Sequence, residues 1–187
     1  NSPCAVATST KTLTINPIPA TTGVSICQGT ASAALTSSTV CTQTGNLTAG
    51  PNFPGAGANS GTGTAWTNPG NVGANDNAYT SVTGVGTAFS QTLVASNYNL
   101  NIPANATIKG IQVTIGRYRN GGAFGEIQDN SLRLVKAGTA VGNNNGATST
   151  NWPTSEAAAN YGTTTDLWGT TWTAAELNAS NFGVALV

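Results

Sequence analysis

The side chains of this 187-residue chain that offer chemistry are few: three aspartates, three glutamates, three cysteines, four tryptophans and no histidine. Glu126 and Glu156 are the carboxylates that a glycosidase reading would pair, since that chemistry needs two carboxyl groups at a set separation, one of them with a raised pKa. Nothing around either residue in the sequence supplies an apolar pocket to raise one, so the reading is of a protein that is not an enzyme. Asp76, Asp129 and Asp166, with the Asn75 and Asn77 amides, are hard oxygen donors of the kind calcium takes, but they lack the fixed spacing of an EF-hand loop. Isolated acids in Asn-rich turns more often accept from their own backbone. No cofactor is expected, calcium being the weak exception. Trp66, Trp152, Trp168 and Trp172 would suit a sugar-stacking platform, yet in a chain this poor in Leu and Phe they serve packing first. Trp66, Asp76 and Asp129 are the candidate ligand residues. Arg117 and Arg119 share one strand face, which reads as a solvated face or an edge guard.

The cysteine count is odd: Cys4, Cys27 and Cys41. A Cys27–Cys41 disulfide would close the short 28–40 loop and contribute on the order of 3 kcal/mol by the chain-entropy model. Cys4 is then left for a link between chains or as a free thiol. The alternatives, Cys4 with Cys27 or with Cys41, stay open. Three thiols with no histidine and no close C-x-x-C spacing do not make a zinc site.

Charge narrows the partners. Six Lys and Arg balance six Asp and Glu, and no basic cluster exists to track a phosphate backbone or an anionic bilayer, so neither nucleic acid nor membrane insertion is expected. A surface of Thr, Ser and Asn hydrates itself without charge and suits strands and turns. The chain opens at Asn1, which reads as the product of a removed leader and places the protein outside the cell, at the cell surface. Three sequons, at Asn46, Asn105 and Asn178, match the glycosylation pattern, a number that Asn- and Thr-rich composition yields by chance.

The elements that must position these groups are strands. Residues 11–16 alternate, with Leu13 and Ile15 on one face and Ala5 and Ala7 continuing the parity, until Pro17 and Pro19 stop the run. This is a strand with one apolar side and no neighbour in sequence to pair with. Residues 45–63 read as a linker. Further strands are expected at 78–82, 90–100, 107–118 with a bulge at Gly110, 131–136, and 182–187, with Leu132 and Leu134 inward. Thr173 and Glu176 have the spacing of a capping box over one helical turn. Many short strands with turn signals between them predict an all-β chain, a jelly-roll-like β-sandwich with an N-terminal extension strand. The chain then divides into a donor-strand extension at 1–22, a disulfide-closed segment and linker at 23–60, and the sandwich at 61–187.

Residues 66–187 resemble a β-sandwich domain of secreted bacterial surface proteins and of phage-like structural proteins. The resemblance is carried by Trp66-Thr67-Asn68-Pro69, Asn75-Asp76-Asn77-Ala78-Tyr79, the 102–113 and 129–135 stretches, Trp152-Pro153, Tyr161-Gly162, Asp166-Leu167-Trp168-Gly169 and Phe182-Gly183-Val184. Residues 12–35 are similar to the junction between tandem immunoglobulin-like repeats of Bacteroidetes-type surface proteins. The resemblance implies one more strand after Phe182-Gly183-Val184, whereas the chain stops at Val187. Either the chain is truncated or the sandwich is one strand short. In the second case an open groove beside Phe182, Val184 and Leu186 is expected, and the Ala5, Ala7, Leu13 and Ile15 strand fills it by folding back or, the favoured reading, by entering from a neighbouring copy. Head-to-tail donation of this kind does not close on itself and builds a filament. The expected function is thus an extracellular structural subunit whose partners are copies of itself. The alternative is a surface-displayed adhesin or carbohydrate-binding module that meets surface glycans as a monomer; a phage-type structural protein is the third reading.

Overall fold

The computed structural model describes residues 46–84, 89–120 and 126–187. Ala5, Ala7, Leu13, Ile15 and all three cysteines, and with them the expected donor strand and the Cys27–Cys41 bridge, lie outside the described residues. The chain divides into two compact units, Asn1–Thr48 and Ala49–Val187, and all of the described strands and helices lie in the second.

Among the described residues the strands are β1 (Ala56–Ser60), β2 (Thr92–Ser96), β3 (Val113–Arg117), β4 (Leu132–Lys136), β5 (Thr139–Val141), β6 (Ala157–Tyr161) and β7 (Gly183–Leu186), with one short helix, α1 (Ala174–Asn178), and a 3-10 turn at Pro69–Gly73. One sheet has five strands in the order β1-β2-β7-β4-β5, and β3 and β6 form a second sheet of two. Every pairing between these strands is antiparallel, and one isolated bridge, Thr64 with Ser90, is parallel. The chain is all-β, as its period-2 alternation predicts.

The last strand is not beside a gap. β7 pairs with β2 on one side and β4 on the other, Val184 lying opposite Ala95 and Leu134 and Leu186 opposite Leu93 and Leu132. All four of its residues are buried, the signature of a central strand covered on both faces. Phe182, Val184 and Leu186 are core residues of their own chain, so the groove expected beside them is absent and their apolar run serves the middle of the sheet instead of an interface.

The 45–63 stretch does more than link. Its Ala and Gly composition allows β1 to run against the Pro69–Gly73 turn, where a Cβ on Gly57 would collide with the Pro69 carbonyl oxygen. Small residues here are what close approach requires. The expected 78–82 strand contributes only the bridge between Ser81 and Thr67. β2 ends where Asn97, Asn99 and Asn101 take left-handed φ of 63°, 50° and 55°, a conformation Asn tolerates better than most residues and one that breaks the ladder. β3 is shorter than the 107–118 pattern predicts. Gly110 is not a bulge; a Cβ there would collide with the Thr164 carbonyl, so this glycine permits a backbone crossing.

The β4–β5 hairpin turns through Ala137 and Gly138 at φ 50° and 81°, both positive as a type I′ turn demands. Leu132 and Leu134 are fully buried. α1 carries the expected capping box: the Glu176 amide donates to Thr173 Oγ1 (3.2 Å) and the Thr173 amide to Glu176 Oε2 (2.8 Å). That backbone bond, then Lys136 Nζ at 3.2 Å, hold the Glu176 carboxyl below its ordinary pKa. Thr173→Ala should therefore lower stability by about 1 kcal/mol, read as a fall in the denaturant midpoint with unchanged slope.

Both sheets feed one core. Leu93, Leu132, Leu134, Val184 and Leu186 of the larger sheet meet Tyr161 of the smaller, with Trp66, Trp168, Trp172 and Phe182 among them and Val113, Ile115 and Ala159 packed at its margin.

Candidate functional site

The densest set of polar groups in the described residues surrounds Asp129, whose side chain is wholly buried. Four elements converge on it. β3 ends in Arg117 and β6 ends in Tyr161, and register sets Val113 opposite Tyr161 and Arg117 opposite Ala157. Period-2 alternation then turns Val113, Ile115 and Arg117 to one face, which is the inner one. Asp129 precedes β4, and Trp152 comes from the loop ahead of β6. Asp129 Oδ1 accepts from Arg117 Nη1 (2.5 Å) and Trp152 Nε1 (2.7 Å). Its Oδ2 accepts from the Tyr161 hydroxyl (2.8 Å) and the Ala147 amide (2.8 Å). The guanidinium lies between two rings, 5.3 Å from the Trp152 centroid and 5.5 Å from that of Tyr161, a desolvated cation–π arrangement.

Four donors fill the acceptor sites of this carboxylate. The arrangement stores no open coordination position, and a ligand would have to displace a protein donor to reach it. Its chemistry is structural: one buried anion ties β3, β6, the approach to β4 and the 147–152 loop together. Arg117 is thus a core residue, 7% exposed, rather than an edge guard. Its partner in that expectation, Arg119, donates from Nε to the Trp152 carbonyl (3.1 Å). Burial first, then the bond to Asp129, push the Tyr161 phenol well above its ordinary pKa, and burial alone does the same to Tyr98.

The sign of that effect is defined. A phenol whose folded value is raised adds stability that is fully present below the unfolded value of about 10 and is lost as the pH rises past it. The denaturant midpoint should fall between pH 9 and pH 11, and Tyr98→Phe should make that fall shallower; a midpoint flat across the interval would contradict it.

The other candidate residues are dispersed. Trp66 is buried, its indole donating to the Gln91 carbonyl (2.8 Å) and its backbone clasped by the Asn59 amide at 2.8 and 3.0 Å. Asp76 accepts from the Ala78 amide (3.0 Å), bonding its own turn. Asp166 accepts from Trp168 N (2.7 Å) and Asn145 Nδ2 (2.8 Å). Glu156 accepts from the Tyr79 hydroxyl (2.8 Å). Among the described residues no three His, Cys, Asp or Glu side chains gather into a metal-binding group. None of the described helices is long and apolar enough to cross a membrane.

Arg117, Trp152 and Tyr161 form the hub with Asp129, and the sequence reading, which names each of them, does not bring them together. For Arg117 the signal is present: its parity with Val113 and Ile115 places it inward. No family model, no curated protein and no solved structure matches this chain.

Proposed function

We propose that this chain is an extracellular structural subunit that polymerises with its own copies, each lending the strand around Leu13 and Ile15 to the next. The two sheets are taken as the faces of a sandwich, and one observation carries the reading. Among the described residues the second sheet has two strands facing five, and its inner residues Val113, Ile115 and Ala159 are only half-buried, whereas Leu132, Leu134, Val184 and Leu186 opposite are buried. A short sheet with half-covered apolar side chains and unpaired backbone is the acceptor that strand addition uses. A chain that alternates Leu13 and Ile15 supplies a matching strand. The competing glycan reading rests on four tryptophans, of which Trp66, Trp168 and Trp172 are at most 7% exposed and Trp152 gives its indole to Asp129; the exposed aromatics, Phe53, Tyr79 and Phe89, are not in that platform.

Electron microscopy of the purified full chain tests the proposal. Ordered filaments are expected; a field of single particles at high protein concentration would overturn it.

A further inference from the structure

The geometry points to the edge of β3 away from β6 as the acceptor, occupied by residues 11–16 of a second copy; this assignment rests on the assembly reading above. The described part of the fold presents four sheet edges. That of β1 belongs to a strand of Ala, Gly, Asn and Ser alone, with no large apolar side chain to set beside Leu13 and Ile15. β5 is three residues long, too short to hold a donor strand of five or six. The inner face of β6 offers an added strand only Ala157 and Ala159 beside the buried Tyr161.

β3 differs from all three. The backbone bonds of its flanks run to the β6 side, Ile111 N to the Asp166 carbonyl (2.9 Å) and Arg119 N to the Pro153 carbonyl (2.8 Å). Among the described residues none reaches across its other edge. Val113 and Ile115 sit half-buried on its inner face, with Thr114 and Gly116 exposed on the outer. A strand added here sets Leu13 and Ile15 beside Val113 and Ile115 and completes the apolar cover, while Thr12 and Thr14 turn outward with Thr114.

Disulfide trapping in the full chain decides the matter. Thr14→Cys and Thr114→Cys proteins are made separately, mixed, oxidised and run without reductant, each alone setting the background from the native cysteines. A covalent dimer several-fold above either alone is the expected result. Filaments that form without that link, or that link only when Thr139→Cys on β5 replaces Thr114→Cys, would overturn the β3 assignment and leave polymerisation standing. A doubly substituted chain that links only within itself, with no assembly, would overturn polymerisation by donation, as would the absence of both link and filament.

Discussion

Replacing Asp129 with alanine is expected to cost about 3–5 kcal/mol, the range for removing one partner of a buried ion pair. The change strands the Arg117 guanidinium without a counter-charge and leaves Trp152 Nε1, the Tyr161 hydroxyl and the Ala147 amide without their acceptor. Each buried donor left unmade adds its own penalty. Against a typical domain stability of about 5–15 kcal/mol, this removes about a third or more of the total for a domain in the lower half of that range. Arg117→Leu alone should also destabilise, since it strands the carboxylate. Asp129→Ala combined with Arg117→Leu should cost distinctly less than the two single losses added together, because an absent pair strands no charge. Equal, additive losses in urea titrations would show that the pair is not coupled.

Trp168→Ala is the second large effect, expected at about 3–5 kcal/mol for an aromatic removed from a core. Trp168 is fully buried and its indole donates to the Ile111 carbonyl (2.8 Å), while its own carbonyl accepts from Asn143 N (2.7 Å). It therefore pins the approach to β3 and the exit from β5 at one corner. Its backbone sits at φ 59°, a left-handed conformation that costs a bulky residue roughly 1–2 kcal/mol. The Asp166 carboxylate, bonded to its amide at 2.7 Å, holds that turn in place. Trp168→Phe keeps most of the ring but loses the indole donor, so it should fall between wild type and alanine; a Phe variant as unstable as the Ala variant would assign the whole effect to the hydrogen bond.

How much of the fold was legible in the sequence depends on whether the signal is local. Alternation alone marks β4, and the Leu132 and Leu134 core positions come from it. The capping box at Thr173 is equally local, because donor and acceptor lie three residues apart. The place of β7 was not legible. An apolar run fits a central strand or an interface, and only its long-range partners β2 and β4 decide between them. The linker reading of 45–63 and the bulge at Gly110 failed for the same reason: the roles of Gly57 and Gly110 are set by the Pro69 and Thr164 backbones that cross them, which no local pattern records. At the hub, parity already held Arg117 inward with Val113 and Ile115. What outweighed it was the general expectation that arginine stays at the surface, and only the four-element convergence on Asp129 shows why this one is buried.

Completion of each copy by the Leu13 and Ile15 strand of another is tested most directly by light scattering across a concentration series. The full chain is compared with Leu13→Asp/Ile15→Asp, since carboxylates entering an apolar groove carry a heavy desolvation cost. Strand donation predicts a wild-type mass that climbs with concentration to many chains and a variant that stays at the mass of one. A wild-type chain that remains single throughout, or a variant that polymerises as well as its parent, would contradict it.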